Sequence, residues 1–217
     1  MMIKVNYFDN QINFSDNLIN NIEITNKSVF YRFVKDLYLV SNGDIVEDLI
    51  FLDSDKEVSN FKLSVISDYF NFGFDDRKNI NSISKYLDDY VSEEDKVNLS
   101  KQYKNLLKVF RKILGDVEVP LEVDEEIDLI SLSKMVKLSI KNKETLLENL
   151  LVMIDINNII DINKMLIFIN LKQFLTEEEI IELYKYSIYK NIKILLVDSQ
   201  NYGATIKYEK KLIIDEN

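Results

Sequence analysis

Hydrophobic positions along this chain change their spacing from segment to segment, and each spacing predicts a different element. Near the C-terminal end, Met165-Leu166-Ile167-Phe168-Ile169 and Ile194-Leu195-Leu196-Val197 are continuously apolar instead of alternating. A strand of that kind is covered on both faces, the pattern of a parallel sheet in an α/β domain. Between the two runs, Thr176 and Glu179 stand at the spacing of a capping box, so a helix opens there and Lys164 to Asp198 reads as one βαβ unit. Glu177, Glu178 and Glu179 fall in the first turn of that helix, where carboxylates favour the positive end of its dipole. They read as helix-stabilising and not catalytic.

Residues 2–9, 12–15 and 18–24 read as short strands, Val29 to Val40 as a helix, and Leu49 to Leu52 and Lys62 to Ile66 as further strands. From about Asn79 the spacing turns helical. Ile80, Ile83, Leu87 and Tyr90 form one apolar stripe, and Leu99, Tyr103, Leu106, Phe110 and Ile113 another, on a longer helix ending near Gly115. Stripes of that width predict packing on each other and on a helix around Thr145 to Ile156; a partner-binding surface is the alternative. Strand spacing returns at Lys164. The expected architecture is therefore α/β, with a parallel-sheet head from residues 1–75 and 160–217 and an inserted α-helical extension over 76–159.

The first strand and helix of the head frame Thr25-Asn26-Lys27-Ser28, which keeps the lysine and hydroxyl that end a phosphate-binding loop but has neither of its glycines. Those glycines let successive N–H groups close around phosphate, a path that side chains with a Cβ follow only with strain. At the other half of such a site, the strand Met165 to Ile169 ends in Asn170, where a hydrolysing enzyme carries an acid for Mg²⁺. The head thus reads as P-loop-ATPase-like with a degenerate phosphate loop; the alternative is that Asn26 and Ser28 only cap a helix.

Composition removes other chemistries. The 217 residues include no Cys and no His, which excludes zinc-thiolate sites, disulfides, thiol nucleophiles and every His-based acid–base arrangement. Any metal must be held by oxygen, so Ca²⁺ and Mg²⁺ are the candidates. Met1 to Asp9 lacks the apolar core of a signal peptide and no segment approaches a membrane span, so a cytoplasmic location is expected.

Charge is concentrated near the end of the helical region. Asp116 to Asp128 holds seven acids and no base, and Lys134, Lys137, Lys141 and Lys143 follow with no acid among them. Carboxylates at that density repel one another unless solvent or a cation offsets them, and they suit Ca²⁺, although the spacing is not an EF-hand. A solvated acidic loop and a wet lysine face are the plain readings of each cluster.

Taken in order, several segments carry a family likeness: Lys164 to Asn170, Phe174-Leu175-Thr176-Glu177-Glu178-Glu179, Lys193 to Asp198 and the closing Leu212-Ile213-Ile214-Asp215-Glu216. Leu121-Glu122-Val123-Asp124-Glu125 and the N-terminal strand pair add to it. The chain resembles the Csn2 family, the spacer-acquisition proteins of type II-A CRISPR systems, in its short form. The likeness covers nearly the full length and rests on order and spacing more than on any invariant set.

That resemblance implies a non-enzymatic antiviral-defence protein, a homotetrameric ring whose opening admits the ends of double-stranded DNA without sequence preference. It also implies Ca²⁺ bound by acids near the junction of head and extension, and action with the other CRISPR adaptation proteins and the effector nuclease. On that basis Glu122, Asp124, Glu125 and Glu126 are the calcium candidates, and Lys134, Lys137, Lys141 and Lys143, with Lys27, the DNA-phosphate candidates. The family's ring-lining lysines have no residue-by-residue match here. Two alternatives from other classes are a nucleotide-binding enzyme using Lys27, Ser28 and Asp198, and an acidic protein-interaction scaffold. A net charge of −10 opposes DNA at long range. Binding then requires bases gathered locally, since salt screens each charge beyond about 8–10 Å.

Overall fold

Runs of aliphatic side chains leave neither face of a strand fit for water, and the strands they form here are enclosed. The computed structural model describes residues 1–8, 11–15, 17–54, 56–58, 61–115, 119 and 121–214. The chain opens with β1 (Met2–Val5), β2 (Ile12–Asn13), β3 (Ile19–Ile24), α1 (Lys27–Ser41), β4 (Leu49–Asp53), β5 (Lys56–Glu57) and β6 (Leu63–Ile66). There follow α2 (Arg77–Asp88), α3 (Glu93–Leu114), α4 (Leu129–Met135) and α5 (Leu146–Asp161). The chain continues through β7 (Met165–Ile169), a 3-10 turn over Leu171–Gln173, α6 (Glu177–Tyr189), β8 (Ile194–Asp198) and β9 (Glu209–Ile214).

Two compact units result, one from Met1–Phe72 with Asn142–Asn217 and the other from Gly73–Lys141. In the first, a five-stranded sheet in the order β6-β7-β8-β3-β9 is parallel throughout. Every residue of β7 and β8 is buried, as continuous apolar runs predict. One face of this sheet, with Ile22, Met165, Ile167, Leu195 and Val197, packs on Phe33 and Leu37 of α1. The same core takes in Ile3, Val5, Leu49 and Phe51 of a smaller antiparallel sheet ordered β2-β1-β4-β5. The opposite face, with Leu166, Phe168, Ile194 and Leu196, packs on α5 and α6.

The sequence boundary at residue 160 placed α5 in the helical extension, but α5 falls within the sheet unit. Leu150 and Ile154 are wholly buried beside Leu183 and Tyr184 of α6. Burial of such aliphatic side chains is worth roughly 1.5–3 kcal/mol each, which ties the helix to the sheet. Thr176 and Glu179 form the expected capping box at the start of α6, and Thr145 with Glu148 forms a second at α5.

The second unit is helical. Asp76 caps α2 by accepting from the Lys78 N–H, and Ser92 caps α3 by accepting from the Asp95 N–H. Ser84 of α2 donates to Ser133 of α4 at 2.7 Å, and Ser133 donates to the Leu129 carbonyl at 2.6 Å, so a buried hydroxyl chain fixes α2 against α4. The apolar stripe of α3 is not the core that its spacing predicts: Leu106, Phe110 and Ile113 are 49, 46 and 61% exposed, and Leu107 alone is buried. Leu87 and Tyr90 of the first stripe are exposed as well. Among the described residues no helix is long and apolar enough to cross a membrane.

Candidate functional site

Three places carry the residues that the sequence singles out. The first is the carboxyl edge of the parallel sheet, where β3 passes into α1. Asn26 is the N-cap of α1, its side-chain oxygen accepting from the N–H groups of Ser28 at 3.0 Å and Val29 at 3.2 Å. An amide oxygen therefore takes up helix N–H groups that an anion would otherwise meet at a helix start. Lys27 stands beside it as the exposed first residue of the helix. Asn170, at the end of β7, adopts a left-handed backbone with φ 56°, which asparagine tolerates, and accepts from the Ser199 N–H at 2.7 Å. It stitches the end of β7 to the segment after β8, a task that needs a short polar side chain and no charge.

The second place lies under α6, and of its residues the sequence singled out only Asp198. Glu23 of β3, Glu209 and Lys211 of β9, and Lys172 of the 3-10 turn form an enclosed ionic network. Lys172 Nζ lies 2.8 Å from Glu209 Oε2 and 3.6 Å from Glu23 Oε1, and Lys211 Nζ lies 2.9 Å from Glu23 Oε1. Asn21 donates to both carboxylates at 3.1 and 3.2 Å, and Tyr184 donates to Glu209 at 2.9 Å. Burial and the Glu209 carboxylate push the Tyr184 phenol well above its usual range. Asp198, at the end of β8, is buried and neither of its oxygens accepts a well-formed hydrogen bond. Desolvation raises its pKa to about 7, with Glu23 and Glu209 adding to the rise and Lys172 opposing it. The network seals this end of the sheet: Glu23 and Asp198 are 0% exposed.

The third place is the acidic and basic run of the helical unit. Glu122, Asp124, Glu125 and Glu126 are all exposed. Glu125 is paired with Arg111 of α3 at 2.5 Å, and Asp124 Oδ1 accepts from the Glu126 N–H at 3.1 Å. Among the described residues, no three His, Cys, Asp or Glu side chains are gathered so as to hold a metal ion. No three of the four acids therefore gather at one point in the single chain. Asp116 and Glu118 of the same run lie outside the described residues.

Lys134 and Lys137 line a pocket of about 600 Å³ together with Arg77 of α2. Lys141 closes the helical unit, and Lys143 lies one residue inside the stretch of the sheet unit that begins at Asn142. Asn149 holds Lys143 by the backbone, accepting from its N–H at 2.8 Å and donating to its carbonyl at 3.1 Å. Both side chains are exposed. Arg77 was missed because it opens α2 far in sequence from the lysines it joins.

Residues 43–217 match the sequence family described as CRISPR-associated protein (Cas_Csn2). The chain belongs to the Csn2 family. This Csn2-family fold is similar to the crystal structure of Stu0660 of Streptococcus thermophilus, with a TM-score of 0.64 over 98% of this chain and 74% of that one. Identity to Stu0660 is 16%, so that likeness speaks for the fold alone. No curated protein matches the chain in sequence. Csn2 membership places the chain in a CRISPR system and supports a role in adaptation. Three of the segments that carried the Csn2 likeness are structural: Phe174 to Glu179 holds the capping box of α6, and Lys164 to Asn170 and Lys193 to Asp198 hold strands buried at every residue.

Proposed function

We propose that this chain is a non-catalytic binder of double-stranded DNA ends that serves CRISPR spacer acquisition as a ring of identical copies. Its place in the Csn2 family carries the reading. The sheet order supports a head of P-loop descent, because β3 lies between β8 and β9 and leads directly into the helix where a phosphate loop would sit. Asn26 fills that helix start with its own oxygen, which argues against nucleotide hydrolysis there.

Lys134, Lys137, Lys141 and Lys143, with Lys27, act as contacts to backbone phosphates in this reading, and such contacts carry no base identity. The uncovered apolar stripe of α3 favours assembly with protein, since patches of that kind mark interaction surfaces. The other adaptation proteins and the effector nuclease are the partners, and the cytoplasm the setting. Calcium, held by Glu122, Asp124, Glu125 and Glu126, belongs to the same reading as a stabilising ion with no catalytic part.

The test compares binding of the chain to linear duplex and to covalently closed circular DNA of equal length at low salt. Binding to the linear form with little binding to the circle is the expected result. Equal binding to both removes threading over an end, and no binding to either removes the DNA reading altogether.

A further inference from the structure

We propose that the pocket between α2 and α4 is a receptor for a phosphate monoester, supplied by the 5′-phosphate at a DNA end. The proposal rests on the DNA-binding reading for the source of the phosphate, but the pocket itself is argued from its walls. Arg77, Lys134 and Lys137 bring three positive charges to a space of about 600 Å³. Among the described residues none of the three lies within ion-pair distance of a carboxylate, whereas the acids nearby are engaged elsewhere. Asp75, also on the wall, accepts from the Ile140 N–H at 2.6 Å. Asp128 caps α4 by accepting from the Ser131 N–H at 2.6 Å, and that bond, more than Lys134, holds its carboxyl below the usual range.

Three cations against the single Asp75 carboxylate leave the pocket with an excess of positive charge, and a doubly charged phosphate relieves the repulsion among them while giving each a charge-assisted hydrogen bond. An arginine fork beside two ammonium groups suits the tetrahedral oxygens of a monoester. Asn81 on the same wall adds an uncharged amide that can donate to them. The wall is held in place beneath by the Ser84–Ser133–Leu129 hydroxyl chain and the buried Ile80.

The backbone at Lys137 strengthens the case. Lys137 adopts φ 54°, and the Leu138 N–H reaches back to the Ser133 carbonyl at 2.8 Å, the ending of a helix at which glycine is the favoured residue. A lysine there holds a left-handed conformation that its Cβ disfavours, and strain of this kind collects at ligand clamps. Glycine would make the turn more easily and would remove one wall of charge.

Fluorescence anisotropy with a blunt duplex carrying either a 5′-phosphate or a 5′-hydroxyl tests the source, and phosphorus NMR with inorganic phosphate tests the pocket. Wild-type chain is expected to prefer the phosphorylated end by about tenfold, the scale of one charged hydrogen-bonding group. Lys137→Gly, which keeps the helix ending, and Arg77→Gln are each expected to abolish that preference without lowering the melting temperature. Binding of inorganic phosphate that Lys137→Gly removes, with no preference between duplex ends, would keep the pocket and assign it to the free anion. Duplex binding that ignores the end group, together with no phosphate binding, overturns the pocket and leaves the DNA reading standing. Absence of any duplex binding removes the DNA reading, and the phosphate arm then decides the pocket by itself.

Discussion

Asp198 is the carboxyl on which burial leaves a titration within reach of experiment. Its carboxyl is enclosed at the end of β8 without a well-formed hydrogen bond, and its pKa is raised to about 7, first by desolvation. In the unfolded chain the same group titrates near ~3.9. A carboxyl whose folded pKa is raised stabilises the fold fully below the unfolded value, and that contribution is lost as pH rises toward the folded one. Each pH unit inside this window costs about 1.4 kcal/mol. Asp198→Asn keeps the neutral shape, so it is expected to match the parent near pH 4 and to exceed its stability by roughly 3 kcal/mol at pH 8, an order-of-magnitude figure. Thermal melts of both proteins across that range measure the difference. A gap that does not change with pH means that Asp198 does not titrate between folded and unfolded states. The sequence singled out Asp198 only as a metal ligand of the alternative nucleotide-binding enzyme, and its burial was not legible, because a carboxylate at the end of an apolar strand reads as the first exposed residue. Glu23, Lys172 and Glu209 were hidden for the same reason: periodicity treats every charge as solvated, and only the folded chain brings Lys172 and Lys211 onto the two glutamates.

Elements follow from local rules where those rules act alone. The strands β7 and β8 were legible because continuous aliphatic runs have one physical solution, and the start of α6 because Thr176 and Glu179 satisfy each other's backbone donors. The affiliation of α5 was not, since an apolar helix carries no sign of which partner it will cover. The stripe of α3 misled in the opposite sense, as its spacing fits a core or a docking face equally well. Among the candidate residues, Lys134 and Lys137 do come together in one pocket, whereas the four acids do not converge on a metal position. Helix α1 gives a direct test of the phosphate-loop question. Asn26→Ala removes the oxygen that caps Ser28 and Val29, which is expected to cost about 1 kcal/mol, while Asn26→Gly is expected to cost only a few tenths. Neither variant, nor the parent, is expected to gain melting temperature with Mg-ATP, as any ligand selective for the folded state would produce. A rise of several degrees in the parent would restore the nucleotide-binding enzyme as the better reading.

Across the whole molecule, the proposed DNA binding sets a net charge of −10 against a polyanionic ligand. Long-range repulsion slows encounter, and several copies gathered in one assembly strengthen it. Short-range contact is another matter, because a charge is felt over only about 8–10 Å at ordinary ionic strength. Where a lysine neutralises a phosphate, it releases a counterion, and each such contact steepens the salt dependence of binding by about 0.9 in the logarithmic slope. Replacing Lys134, Lys137, Lys141 and Lys143 by Gln should therefore flatten the slope by about that amount for each lysine that meets phosphate. The comparison needs a control with the same net charge, and α3 supplies one in the exposed Lys101, Lys104, Lys108 and Lys112. Anisotropy titrations between 50 and 200 mM salt, a range over which phosphate contacts weaken binding steeply, separate the two sets. If local field governs binding, the first set of substitutions flattens the slope and the second shifts affinity with the slope retained. Equal effects from both would show that only total charge matters, and an unchanged slope in the first set would take those four lysines out of the interface.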